Sequence, residues 1–113
     1  MKALVCGGRG FTDWSGFYEI MESYKNEDLE IISGGAPGID SMASRYAKDN
    51  GLKLHEFPAN WKKYGRAAGP IRNQQMVDEG NPDLVIAFPG GVGTKDMVRR
   101  AKDNNIKVYE VLI

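Results

Sequence analysis

Apolar and polar positions along the chain follow two alternating rhythms. Short apolar runs predict strands at 3–6, 29–33, 53–57, 83–88 and 107–113, and the Leu-Val-Ile-Ala-Phe run of the fourth reads as buried on both faces. Between them lie segments with helical spacing. Trp14, Phe17, Tyr18, Met21 and Tyr24 predict a helix over 13–24, and Ile39, Met42, Ala43, Tyr46 and Ala47 predict one from 39 to near Asn50. Gly51 suits the left-handed position after that helix. A third helix is expected over 70–79, with Pro70 tolerated in its first turn, and a fourth from the 89–94 loop to about Asn104. The stretch 58–68 reads as irregular.

Five strands alternating with four helices imply a mainly parallel sheet with helices on both faces, a Rossmann-like three-layer α/β/α domain over 1–113. Nine of the 14 glycines fall in three loops that each follow a strand and precede a helix: Gly7, Gly8 and Gly10; Gly34, Gly35 and Gly38; Gly90, Gly91 and Gly93. In a parallel sheet such loops emerge on one edge, where open α/β folds bind ligands. Glycine lets a ligand approach the backbone, and amides at the following helix start favour an anion. The competing explanation is that strand-to-helix turns need glycine for their own sake.

Neither G-x-G-x-x-G nor G-x-x-x-x-G-K-[ST] occurs, and the second strand ends in Ser33 where an acidic residue would grip a ribose. Neither a dinucleotide cofactor nor P-loop hydrolysis is therefore expected. With 15 basic and 15 acidic residues the net charge is zero, which argues against broad charge-driven nucleic-acid binding. The single cysteine, Cys6, allows no intrachain disulfide and reads as a small core residue, so a cytoplasmic setting is expected. No segment reads as a signal peptide or membrane span, and no cluster has metal-ligand spacing. His55, the one histidine, sits mid-strand, a poor place for a general base.

The segments GGAPGID at 34–40, GPIRNQQM at 69–76 and PGGVGT at 89–94, with GGRGFTD at the first loop, resemble the SLOG superfamily. That group includes the LOG phosphoribohydrolases and the DNA-processing protein A, and the chain looks most like its small YspA- and YpsA-related branch. The resemblance implies that the loop of Gly90, Gly91, Gly93 and Thr94 cradles a phosphate and that Arg72 assists at the ligand. It also implies a homodimer or higher homo-oligomer. The position of the LOG glutamate falls on Met97, which can neither stabilise an oxocarbenium centre nor activate water. Asp96, one residue earlier, is then the candidate catalytic carboxylate beside Arg72, with Asp40 and Asp13 as further sources.

The expected ligand-binding set is Gly8, Arg9, Ser33, Gly34, Gly35, Asp40, Arg72, Asn73, Gly90, Gly91, Gly93 and Thr94. Asp40 and Ser33 have plain alternatives as caps of the second helix and its turn. The stretch 58–73 carries Lys62, Lys63, Arg66 and Arg72 with Trp61 and Tyr64 and no acidic residue. It reads equally as a base-stacking, phosphate-neutralising flap or as a solvated loop with Trp61 tucked into the core. Three functions stay open: a nucleotide-binding sensor or sequestering module, a nucleotide N-glycosidase, and a single-stranded DNA binder.

Overall fold

The computed structural model describes residues 1–113. Its sheet contains β1 (Lys2–Cys6), β2 (Glu30–Ser33), β3 (Lys53–Glu56), β4 (Leu84–Ala87) and β5 (Lys107–Glu110). They lie in the order β3-β2-β1-β4-β5, with every pairing parallel. This is the expected Rossmann-like arrangement.

Side-chain alternation along the central strands divides the core in two. Ala3 and Val5 of β1, with Ile31 and Ile86, pack beneath α1 (Trp14–Glu22) and α2 (Ile39–Asp49), where Phe17, Met21, Ala43 and Tyr46 meet them. Leu4 and Cys6, with Ile32 and Val85, face α4 (Ala68–Asp78) and α5 (Val92–Asp103) through Met76, Val77, Met97 and Val98. Of the aromatic stripe expected over 13–24, Phe17 is core and packs against Phe88 at 5.1 Å, Trp14 and Tyr24 lie partly buried against that core, and the exposed Tyr18 edges onto Tyr46 at 5.7 Å.

Element ends differ from expectation where caps decide them. Asp13 stands outside α1 as its N-cap, accepting the Gly16 N–H at 3.0 Å. Gly51 takes the expected left-handed conformation, with φ of 64°. The stretch expected to be irregular contains a short helix, α3 (Trp61–Tyr64), capped by Asn60 accepting the Lys63 N–H, and a 3₁₀ turn (Gly65–Ala67) that runs into α4. Pro70 is the third residue of α4, still in the turn whose amides have no intrahelical acceptor. No helix is long and apolar enough to cross a membrane.

Candidate functional site

The three glycine loops meet at the carboxyl edge of the sheet and bind each other. The Gly8 N–H donates to the Pro89 carbonyl at 2.9 Å, and the Gly8 carbonyl accepts from the Ile39 N–H at 3.2 Å. Several glycines exist for this packing. A Cβ on Gly7 would lie 2.5 Å from Ile39 Cγ1, and one on Gly38 would collide with the Gly8 and Arg9 carbonyls. On Gly90 it would meet Thr94 Oγ1, and on Gly34 the Arg72 guanidinium. Gly91 and Gly93 are different: nothing lies within 4 Å of where their Cβ atoms would be, and neither has a positive φ. The protein itself does not require those two to be glycine.

They open onto a cleft of about 570 Å³, a size suited to a small metabolite. It sits where β1 and β4 lie side by side while their following helices leave to opposite faces, the switch point of this topology. Of the residues singled out in the sequence, Gly8, Arg9, Asp40, Arg72, Asn73, Gly91, Gly93, Thr94 and Asp96 line it. Ser33, Gly34, Gly35 and Gly90 lie outside. Ser33 is fully buried, its hydroxyl donating to the Asp40 carbonyl and accepting the Gly35 N–H, both at 3.3 Å. The Gly34 carbonyl is taken by Arg72, and Gly35 turns with φ of 73° toward Glu56 and Pro58.

On α4 the facing stripe is Gly69, Arg72, Asn73 and Met76, the i, i+3, i+4, i+7 set. Gly69 and Met76 were therefore readable from the sequence once Arg72 was placed on this face. Trp61, half exposed, stands against Gly69, where an added Cβ would come within 3.3 Å of its ring. The Arg9 guanidinium carbon lies 5.5 Å from that ring's centroid. Trp61 is thus part of the cleft wall, not of the core. Cys6, Met76 and Met97 supply apolar surface deeper in.

The cleft carries three guanidiniums, Arg9, Arg66 and Arg72, and none has a carboxylate within 4 Å. Arg72 donates through Nη1 to the Gly34 carbonyl at 2.6 Å and through Nε to Asn73 Oδ1 at 3.1 Å. Burial pushes its pKa down, against the opposing pull of Asp40. A charge held in this way gains from a bound anion. Beside it, Gly91 is the N-cap of α5 and supplies no side-chain cap, and the first turn has no acidic residue, which leaves the helix amides and positive dipole end available.

The two carboxylates of the cleft are in contrasting states. Burial pushes the Asp96 pKa up, but hydrogen bonds from Arg100 at 2.8 Å, Asn73 at 2.9 Å and Arg99 at 2.9 Å outweigh it and hold the group below its ordinary value. Asp96 ties α4 to α5, and a carboxylate so engaged is a poor proton acceptor. Asp40 accepts only the Ala36 N–H, at 3.1 Å through Oδ2, and its other oxygen has no protein partner. Burial raises its pKa despite that amide, Arg72 and Arg9.

Asp13 is spent on the α1 cap, and His55 pairs with Glu30 across β3 and β2 at 2.7 Å. The Cys6 thiol is pushed up to about 12 by burial and then by Asp40, which leaves no thiolate near neutrality.

The chain is similar over its whole fold to DNA processing protein A (DprA) of Streptococcus pneumoniae, known from an X-ray structure. The TM-score is 0.81 at 21% identity, over 99% of this chain and 50% of that one. The chain thus spans half the length of that protein, and the likeness is one of fold. It is 32% identical over 119 residues to the Gene 61 protein of Mycobacterium phage D29, covering 95% of this chain and 93% of that protein. The model of the YspA, cpYpsA-related SLOG family (YAcAr) matches residues 1–64, the half that carries the first two glycine loops and Asp40, and the chain belongs to that family.

Proposed function

We propose that the cleft binds a phosphorylated, nucleotide-type small molecule and that the protein acts as a sensor or sequestering module for it. The observation that carries this reading is Arg72. Its half-buried guanidinium has no carboxylate partner within 4 Å and shares the cleft with the uncapped start of α5 and the bare Gly91 and Gly93. The backbone amides and Arg72 would take the phosphate, and Trp61 offers an aromatic face one turn of α4 away, where a base would lie.

N-glycosidic cleavage is the second reading, favoured by one feature: Asp40 retains an oxygen free of protein partners in the same cleft. Single-stranded DNA is the third. DNA processing protein A has a nucleic acid in its name and this fold, but the present chain is neutral overall, with 15 charges of each sign.

Equilibrium dialysis against a mixed nucleotide pool, with mass spectrometry of both chambers, tests these readings. An intact nucleotide enriched on the protein side supports the binding module, and Arg72→Ala is expected to weaken that enrichment about tenfold or more. Free base with ribose phosphate would make the protein a glycosidase. Salt-sensitive retention of an oligonucleotide in place of either would make it a DNA binder.

A further inference from the structure

The cleft holds an unusual neighbourhood: a guanidinium with no carboxylate within 4 Å beside a carboxylate of which one oxygen, Oδ1, has no protein donor. Just outside the cleft, Arg72 Nη1 and the Ala36-bonded Asp40 Oδ2 flank the place where a Cβ on Gly34 would sit, so the two charged side chains that line the cleft are near neighbours. They do not pair with each other within 4 Å. Asp40 is 7% exposed, so a ligand filling the cleft strips the water from its free oxygen. That oxygen then needs a hydrogen-bond donor, because an unpaired buried carboxylate oxygen is costly.

The occupant must therefore bring two things a few ångströms apart, an anion for Arg72 and a donor for Asp40. Inorganic phosphate carries both an anion and a P–O–H donor on one centre, but it is too small to fill a cleft of about 570 Å³ or to reach Trp61. An internal DNA nucleotide has no free sugar hydroxyl at all. A ribose 5′-phosphate unit has both, with its 2′- and 3′-hydroxyls beside the phosphate end. The base then continues toward Trp61, which stands over Gly69 one turn before Arg72 on α4.

Building on the nucleotide reading above, we propose that Asp40 receives the ribose hydroxyls of the ligand and makes the site selective for ribonucleotides over deoxyribonucleotides. The residue is a specificity determinant; its backbone neighbours and the Ala36 amide hold it in place.

The test is direct binding of the four ribonucleoside 5′-monophosphates and their 2′-deoxy and 2′,3′-dideoxy counterparts to the wild type and to Asp40→Asn. Asparagine keeps an oxygen for the Ala36 amide, and thermal unfolding checks that the variant is intact. The wild type is expected to bind the ribonucleotide about tenfold or more tighter than the dideoxy form, with the 2′-deoxy form between them. Asp40→Asn should lose most of that preference while binding the dideoxy form no worse. Equal affinity for all three sugars in the wild type overturns the proposal and leaves the nucleotide reading standing. So does a preference that follows the base, with guanine favoured whatever the sugar, since Asp40 would then be reading a base edge. Absence of binding by every monophosphate removes the nucleotide reading and this inference with it.

Discussion

The loop after β2 and the loop after β4 are spelled with the same density of glycine, yet the glycines do different work. In the first, a Cβ on Gly34 would displace the Arg72 guanidinium from its carbonyl, and Gly38, facing backbone carbonyls, has neither the room nor a conformation that suits a side chain, its φ being 78°. Those glycines let the loop pack against Gly8, Arg9 and Arg72. In the second, Gly90 is packed in the same sense against Thr94 and Gly8, but Gly91 and Gly93 face open space. A glycine-rich loop therefore has two explanations that only the surroundings of the missing Cβ separate. Where the protein fills the space, the glycine serves the fold; at Gly91 and Gly93 the open space is the cleft itself, where a ligand can approach the backbone.

Substitutions can break this contrast. The largest effect is expected for Gly38→Ala, which combines an unfavourable positive φ with backbone collision. A loss of about 3 kcal/mol or more should appear as a lowered urea midpoint with the slope unchanged. If that variant were as stable as the wild type, the assignment of this loop to packing would fall.

Gly93→Ala should act with the opposite sign on stability. It lies at the second position of α5 with open space around it, so alanine is expected to stabilise by up to about 1 kcal/mol. The same methyl group should weaken nucleotide retention in the dialysis experiment. A variant that is both more stable and less able to bind sharpens the comparison; undiminished binding would mean that the ligand does not approach this glycine.

The smallest effect concerns Asp96, which joins the open loop's helix to α4. Its folded pKa lies below the ordinary value of 3.8, so it favours the folded state above that value, and the contribution is lost as pH falls through the lower folded pKa. Wild type should therefore exceed Asp96→Asn in stability near neutrality, and the gap should close on acidification below about pH 4 in urea titrations at stepped pH. A gap that does not change with pH would assign the effect to lost packing.

Much of this was legible in the chain itself. The alternation of apolar runs with helical stripes led to the parallel sheet, and the three glycine loops followed as occupants of one edge. Pro70 inside a first turn and Gly51 after α2 were likewise readable, since both rest on backbone sterics. The α3 segment was not, because a helix of four residues is too short to show a period. Nor did the sequence separate the engaged Asp96 from the half-free Asp40, or show that Gly93 lines the cleft and Gly34 does not.

Those distinctions depend on partners far along the chain. Asn73 meets Asp96 across 23 positions, and Arg72 reaches Gly34 across 38. Sequence determined the elements and their order, because helical and strand periods are set by sterics between near neighbours. Tertiary structure alone decided which carboxylate is spent and which is free, because a lone pair is satisfied by whatever group packing brings to it.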